Sequence, residues 1–276
     1  MASFDLQPRF LYGTAWKEDE TERLVGLALA AGFRGIDTAN QRKHYNEAAV
    51  GAALQRAYDA GVVERDQLFL QTKFTSVDGQ DHRLPYDANA TPHDQVRQSF
   101  ASSLQHLHTD HVDSYVLHGP TTRTGLAPYD LAVWRAMEAL HAEGRTRFLG
   151  VSNVSLEQLE ALCAKAEVLP RFVQNRCYAK KGWDRQVRAF CCQHDLVYQG
   201  FSLLTANRTE LDTGPFKALV ARVKRTPAQV VFDYALAVGM LPLTGTSRAS
   251  HMREDLERAT LSADDLRLIE AIGGAE

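Results

Sequence analysis

Residues 10–39 read FLYGTAWKEDETERLVGLALAAGFRGIDTA, and this stretch sets the architecture. It opens on a short apolar run, Phe10 to Gly13, that reads as a strand. From Glu18 to Ala31 the apolar residues Leu24, Leu27, Ala28 and Ala31 recur at helical spacing, as in a helix that buries one face. Gly32 follows as the C-cap, because glycine enters the left-handed conformation without a Cβ clash. Phe33 to Asp37 is a second short apolar run. Strand, helix and strand in sequence are the unit from which parallel sheets are built.

The rhythm continues to the end of the chain. Further strands are expected at Leu68 to Thr72, Val112 to Leu117, Phe148 to Val151, Phe172 to Gln174, Leu196 to Phe201 and Met240 to Leu243. Between them fall helical patterns: Asn46 to Ala60, Pro92 to Leu107 capped by Thr91, Tyr129 to Ala142 and Ser155 to Ala166. Trp183 to His194 and Pro227 to about Val238, opened by Thr226, complete the alternation, and Ser250 to Arg258 and Ala263 to Ile272 close the chain. Eight parallel strands are the number at which such a sheet closes on itself. The expected fold class is therefore α/β, a (β/α)8 TIM barrel forming a single domain over residues 1–276. An open doubly wound sheet would carry G-x-G-x-x-G after its first strand, and this sequence has no such motif.

Length and composition agree with that reading. A chain of 276 residues suits one barrel of about 250 residues. Hydrophobic residues at 45% and charged residues at 24% exclude disorder, collagen and coiled coil. With 31 basic against 34 acidic residues the net charge is −3, which argues against a nucleic-acid or anionic-membrane binder. Four cysteines without a CxxC pair do not make a disulfide framework. Met1 to Phe10 lacks the apolar core of a signal peptide, and no apolar run reaches the 18 or so residues of a membrane span. A reduced, cytoplasmic protein is expected.

In a (β/α)8 barrel the active site lies at the C-terminal ends of the strands. Those positions hold Asp37, Lys73, His118, Ser152 with Asn153, Gln174 with Asn175, and Ser202. Singly, each has an ordinary reading: a solvated lysine, an Asp capping a helix, a satisfied polar histidine. Together on one face they suggest a reaction centre. A phenol is a weak acid with a pKa of about 10, and a nearby ammonium would lower it. An Asp holding that ammonium, a Tyr giving a proton to a carbonyl oxygen and a His orienting the carbonyl make a metal-free reduction.

These residues resemble the aldo-keto reductases over nearly the whole chain. The resemblance rests on Leu11-Tyr12-Gly13-Thr14-Ala15-Trp16, Gly32-Phe33-Arg34-Gly35-Ile36-Asp37-Thr38-Ala39 and Leu70-Gln71-Thr72-Lys73. It continues in Val116-Leu117-His118-Gly119-Pro120, Gly150-Val151-Ser152-Asn153 and Pro227-Ala228-Gln229-Val230, in the family's order. It implies a (β/α)8 barrel that transfers hydride from NADPH to aldehydes and ketones. Asp37, Lys73 and His118 then match three of the catalytic four. The family commonly reads D-T-A-x-x-Y-G-N-E, whereas this chain reads Asp37-Thr38-Ala39-Asn40-Gln41-Arg42-Lys43-His44-Tyr45-Asn46-Glu47. A short insertion leaves Tyr45 as the acid; ungapped counting back from Asn46-Glu47 puts His44 there instead. Tyr45 is favoured, because a phenol suits the Asp–Lys pair.

The resemblance also implies a cofactor path. Ser152, Asn153 and Gln174 match the nicotinamide carboxamide contacts, and Phe201 stands where an aromatic ring stacks on the nicotinamide. Gly13, Thr14 and Ala15 match the turn beside the nicotinamide ribose, and Ser202 and Leu203 lie near the pyrophosphate. At the 2′-phosphate site the usual lysine falls at Gly245 and the usual arginine near His251. Thr246, Ser247, Arg248 and Arg253 remain as candidate phosphate contacts, with a solvated helix face as the other reading of the two arginines. Asp255 matches an adenine contact. NADPH is expected and NADH is the alternative.

Trp16 is expected to wall the substrate pocket. Tyr45, His118 and Tyr86 are candidate substrate contacts, with Leu84 and Pro85 beside Tyr86. The loops Phe74 to Ala90 and Gly119 to Pro128 are expected to shape an open entrance. His106, His108 and His111 fall on the opposite face, and no metal is expected there. The expected partner is a small-molecule carbonyl compound and the expected state a monomer. The alternatives are a non-catalytic nicotinamide-nucleotide-binding regulatory or partner protein on the same barrel, and a metal-dependent barrel hydrolase.

Overall fold

The computed structural model describes residues 8–258 and 260–274. The leader question at Met1 to Gln7 lies outside them. Eight parallel strands form a closed barrel in sequence order: β1 Leu11–Gly13, β2 Gly35–Asp37, β3 Phe69–Phe74, β4 Val112–Leu117, β5 Thr146–Ser152, β6 Phe172–Arg176, β7 Val197–Phe201 and β8 Leu241–Thr244. Closure is made by β1 on β8, with Leu11 opposite Leu243 and Tyr12 opposite Thr244.

The helices are α1 Thr21–Ala31, α2 Glu47–Asp59, α3 Pro92–Leu107, α4 Pro128–Ala142, α5 Leu156–Cys163 and α6 Arg185–Gln193, then α7 Arg208–Leu211, α8 Gly214–Val223, α9 Pro227–Ala237, α10 Ala249–Leu256 and α11 Ala263–Glu270. Local chemistry sets their ends. Gly32 closes α1 at φ 109°, its N–H donating to Ala28 and Leu29 carbonyls. Asn46 caps α2, Thr91 caps α3, and Ser155 and Thr226 open α5 and α9 through capping boxes, each satisfying an N–H that the helix leaves open.

Three differences from the sequence reading have physical causes. The helix expected from Trp183 begins at Arg185, because Gly182, Trp183 and Asp184 all take positive φ in a tight turn that buries Trp183. β3 runs on to Phe74 and β6 to Arg176, past residues whose polarity had ended the apolar pattern. Helices α7 and α8 were not expected; Thr213 caps α8 and Pro215 sits in its first turn.

Strand register sorts the side chains. Positions of one parity along the strands, Gly35 and Phe69 level with Leu11, Val197 level with Phe172, and Leu241, face the barrel interior, where Leu11, Phe69, Phe172 and Leu241 pack as a core separate from the helix-facing one. Two residues further along these strands come Gln71 with Asp37 level beside it, Gln174 and Gln199, and two beyond Gln71 comes Lys73. The interior thus changes from apolar to amide to ionic toward the C-terminal mouth.

Two glycines should respond oppositely to alanine. A Cβ on Gly51 of α2 would overlap the backbone carbonyl of His106, whereas one on Gly26 of α1 meets nothing within 4 Å. Gly51→Ala should lose about 1–3 kcal/mol of stability, and Gly26→Ala should gain about 0.5–1 kcal/mol. Thermal melts of both variants check this; a Gly51→Ala protein as stable as the parent would show that α2 is free to shift from α3.

Candidate active site

Parallel strands deliver their last inward side chains to one rim. β2 ends on Asp37, β3 carries Lys73, and the residue after β4 is His118, whose N–H donates to the Phe74 carbonyl at 2.9 Å. Lys73 is fully buried and Asp37 is 2% exposed. Lys73 Nζ donates at 2.7 Å to Oδ1 and at 2.7 Å to Oδ2 of Asp37, and at 2.8 Å to the Thr38 carbonyl. An ammonium has three hydrogens, so each is engaged. Asp37 Oδ1 also accepts from Gln71 Nε2 at 2.7 Å and from Gln174 Nε2 at 3.0 Å. Gln199 joins both glutamines, accepting from each at 2.9 Å and donating back to Gln71 Oε1 at 3.0 Å. The carboxylate therefore rests on an interior amide network.

The loop after β2 brings Tyr45 onto this pair. Lys73 Nζ lies 5.3 Å from the Tyr45 ring centroid. The Tyr45 and His118 rings meet edge to face at 5.9 Å. His44 turns the other way: its ring lies on Trp16 at 3.9 Å and its Nδ1 pairs with Gln41 Oε1 at 2.8 Å. Of the two residues competing for the place beside Lys73, the structure brings Tyr45 there. The expected lowering of the phenol does not occur in this arrangement. Burial pushes the Tyr45 pKa up and the Asp37 carboxylate adds to the rise, while Lys73 has no hydrogen left to offer. Burial likewise lowers Lys73, with Asp37 opposing. His118 is pushed down to about 3, first by burial and then by the Lys73 charge, so it is neutral at ordinary pH.

The candidate cofactor residues fall in two groups. Ser152, Asn153 and Gln174 are brought together: Ser152 Oγ donates to the Gln174 carbonyl at 2.6 Å, and Asn153 Nδ2 donates to Ser152 Oγ at 3.1 Å and to the His118 carbonyl at 2.8 Å. Because Gln174 Nε2 is engaged below and Asn153 Nδ2 sideways, their amide oxygens are what remains for a carboxamide N–H. Phe201 is partly exposed at the end of β7, with Arg176 over its ring at 5.5 Å, and Ser202 follows at φ 56° with Leu203 buried beneath. Thr14 is buried against the Asp37 carbonyl at 3.0 Å, between Gly13 and the partly exposed Ala15.

At the other end, Gly245, Ser247, Arg248, His251 and Arg253 are exposed around the start of α10. The Arg248 N–H donates to Thr246 Oγ1 at 3.3 Å, and the Thr246 carbonyl accepts from Tyr12 at 2.9 Å. Lys17, which the sequence reading passed over, donates its ammonium to the Gly245 carbonyl from the loop after β1. Asp255 is 4% exposed and accepts from Thr244 Oγ1 at 2.8 Å. Its carboxylate is turned to β8.

The entrance also differs from expectation. Tyr86 is no pocket lining: it is buried, its ring stacks on Phe74 at 5.5 Å and its hydroxyl donates to the Thr75 carbonyl at 2.7 Å. Trp16 is 67% exposed. Of the three histidines expected on the opposite face, His106 Nδ1 pairs at 3.2 Å with the buried Glu47, which also bonds Thr72 beside Lys73, and His111 pairs with Asp110 at 2.6 Å. Gln71, Gln199 and Thr75 were missed. For the glutamines the available signal was polarity at the inward parity of β3 and β7.

Comparison with known proteins places this geometry among relatives. A family model described as the aldo/keto reductase family matches residues 9–273. Deoxymugineic acid synthase 1-D of Triticum aestivum is 31% identical over 274 residues, covering 91% of this chain and 82% of that protein. Methylglyoxal reductase DkgA of Yersinia pestis is 29% identical, covering 86% and 78%. Among solved structures, an aldo/keto reductase from Brucella melitensis superposes with a TM-score of 0.81 at 26% identity, covering 96% of this chain and 95% of that one.

The buried Asp255 generates a pH-dependent prediction. Burial raises its carboxyl from 3.8 to about 6. Between those values the folded state keeps a proton that the unfolded chain releases, so stability falls as pH rises through that window. Asn would keep an acceptor for Thr244 and remove the cost. Asp255→Asn should be more stable than the parent by about 1–3 kcal/mol at pH 7.5, with the gain vanishing near pH 4. Urea unfolding at the two pH values decides it; a gain of the same size at both would contradict the burial argument.

Proposed function

This chain belongs to the aldo/keto reductase family and is an NAD(P)H-dependent oxidoreductase acting on carbonyl compounds, and from that premise we propose NADPH-dependent reduction of aldehydes or ketones with Tyr45 as the proton donor. The observation that carries the reading is the placing of the Tyr45 ring against both Lys73 and His118. The insertion that displaces the tyrosine in sequence does not displace it from the Lys–Asp pair.

Each residue has a part its surroundings favour. Tyr45, its pKa raised by burial, is a protonated acid in wait. As negative charge develops on the carbonyl oxygen, proton transfer from a positioned phenol becomes favourable. Lys73 is held as a fixed positive charge below the ring by Asp37 and Thr38. Its field favours the phenolate left after the transfer. Neutral His118 orients the carbonyl. Ser152, Asn153 and Gln174 form a polar ledge next to His118 that fits a nicotinamide carboxamide, and Phe201 offers a ring face. When bound, the dinucleotide supplies the hydride. The two-thirds-exposed Trp16 fits an open mouth that admits varied carbonyls.

NADPH is proposed over NADH because a cation, Lys17, stands beside Gly245, the position where the resemblance expects a lysine for the 2′-phosphate. Lys17 reaches Gly245 from the neighbouring loop after β1, and Arg248 and Arg253 are exposed further along, before and within α10. Charge-assisted bonds to phosphate are worth about 1.5–3 kcal/mol. Lys17→Met should therefore raise the KM for NADPH by about 10-fold or more and leave the KM for NADH nearly unchanged; equal rises for both cofactors would place Lys17 away from the 2′-phosphate.

The function itself is tested by absorbance at the reduced-nicotinamide band, with NADPH or NADH and a panel of aldehydes and ketones. Carbonyl-dependent cofactor oxidation is expected from the parent. Loss of a general acid costs about 100-fold or more in turnover, so Tyr45→Phe should be slowed at least that much. Cofactor binding without oxidation across the panel would favour the non-catalytic nucleotide-binding protein.

A further inference from the structure

We propose that Thr75 is a positioning residue that fixes His118 as its Nε2–H tautomer, so that His118 meets the substrate carbonyl as a hydrogen-bond donor. The inference rests on the carbonyl-reductase reading for the donor's purpose, but the tautomer itself follows from geometry. Thr75 Oγ1 lies 2.7 Å from His118 Nδ1. A neutral imidazole has one N–H and one lone pair, and burial with the Lys73 charge keeps this ring neutral. Two arrangements would satisfy the distance. Either Nδ1–H donates to the hydroxyl, or the hydroxyl donates to Nδ1.

The surroundings of Thr75 choose between them. Thr75 is 4% exposed, and Nδ1 is the hydrogen-bond partner its hydroxyl has among the described residues. If Nδ1 carried the proton, the hydroxyl hydrogen would be buried without an acceptor, which folded proteins avoid. With the hydroxyl as donor, Nδ1 is the acceptor and Nε2 on the opposite edge of the ring bears the hydrogen. A lone pair at Nε2 would repel a carbonyl oxygen; an N–H attracts it.

Thr75 is itself held in place from three sides. Its carbonyl accepts from the Tyr86 hydroxyl at 2.7 Å and from Gln80 Nε2 at 3.4 Å. Gln80 Nε2 also donates to the Asn40 carbonyl at 2.9 Å, and Gln41 Nε2 to the Gly79 carbonyl at 2.6 Å. These bonds join the loop after β3 to the loop that carries Tyr45. The Thr75 methyl occupies the space beside Gly79, where an added Cβ would come within 2.6 Å of Cγ2. With the methyl fitted there, the hydroxyl is left facing His118. The residue the sequence reading placed in the entrance, Tyr86, thus acts from beneath, through Thr75.

The test is nitrogen-15 NMR of protein labelled at histidine, without substrate, with the His118 signals assigned by comparison with His118→Gln. The parent should show Nε2 protonated and Nδ1 unprotonated. Thr75→Val keeps the shape and loses the hydroxyl. It should lose the single-tautomer pattern and lower kcat/KM for carbonyl reduction by about 10–100-fold, with NADPH affinity unchanged, and Thr75→Ser should restore both. An Nδ1–H tautomer in the parent would overturn the proposal, even if Thr75→Val failed to fold. So would a Thr75→Val protein with the parent's tautomer and rate. An Nε2–H signal in a parent that oxidises no NADPH with any carbonyl would leave the tautomer standing and remove the reductase reading.

Discussion

The structure depends on a lysine ammonium buried without access to water. Lys73 is fully buried with its three hydrogens given to Asp37 and Thr38. Isolated burial of such a charge would cost far more than a protein's whole stability, so it persists only with a countercharge and complete hydrogen bonding. Asp37 has the same need, and its Oδ1 is met by Gln71 and Gln174. The amide layer inside the barrel is therefore a consequence of the ion pair above it. A leucine at Gln71 or Gln174 would suit the barrel and leave the carboxylate short of a donor, and Gln199 holds those two amides in place. The pair also ties the end of β2 to β3, and with it the start of the loop that delivers Tyr45.

Saturating Lys73 has a chemical consequence. The expectation of a phenol made more acidic by a neighbouring ammonium assumed that the ammonium was available. Here Asp37 and the Thr38 carbonyl take its hydrogens, and burial, joined by the Asp37 charge, raises the Tyr45 pKa. The proposed acid is thereby kept protonated in the resting protein. In the proposed reaction Lys73 acts through its fixed charge and not through a hydrogen bond to the phenol. His118, driven neutral by the same burial and the same lysine, is available as a hydrogen-bonding group across the working pH range.

Much of this was legible in the sequence for a geometric reason. In a parallel barrel the last inward residue of each strand reaches one rim, so Asp37, Lys73, His118, Ser152 and Gln174 could be placed together from strand ends alone. What was not legible depends on long-range pairing. Gln71 and Gln199 lie on strands buried on both faces, where apolar residues on the helix-facing side mask the alternation. Lys17 meets Gly245 across the closure of the barrel, at a separation of 228 residues. Tyr86 was misplaced because loop position suggests an entrance, whereas its hydroxyl had a buried carbonyl to satisfy at Thr75. Asp255 kept the expected place on α10 but found Thr244 as its partner. The His44 and Tyr45 alternatives were separable only by seeing which ring faces Lys73 and which lies on Trp16.

In the proposed reaction hydride passes from NADPH to a carbonyl carbon on this rim. The most direct measurement uses NADPH carrying deuterium on one face of the nicotinamide C4, with an aldehyde reduced in ordinary water and the alcohol analysed by mass spectrometry. One deuterium is expected on the carbinol carbon from one of the two labelled faces and none from the other. Alcohol without label from both, or no alcohol from any carbonyl supplied, would contradict it.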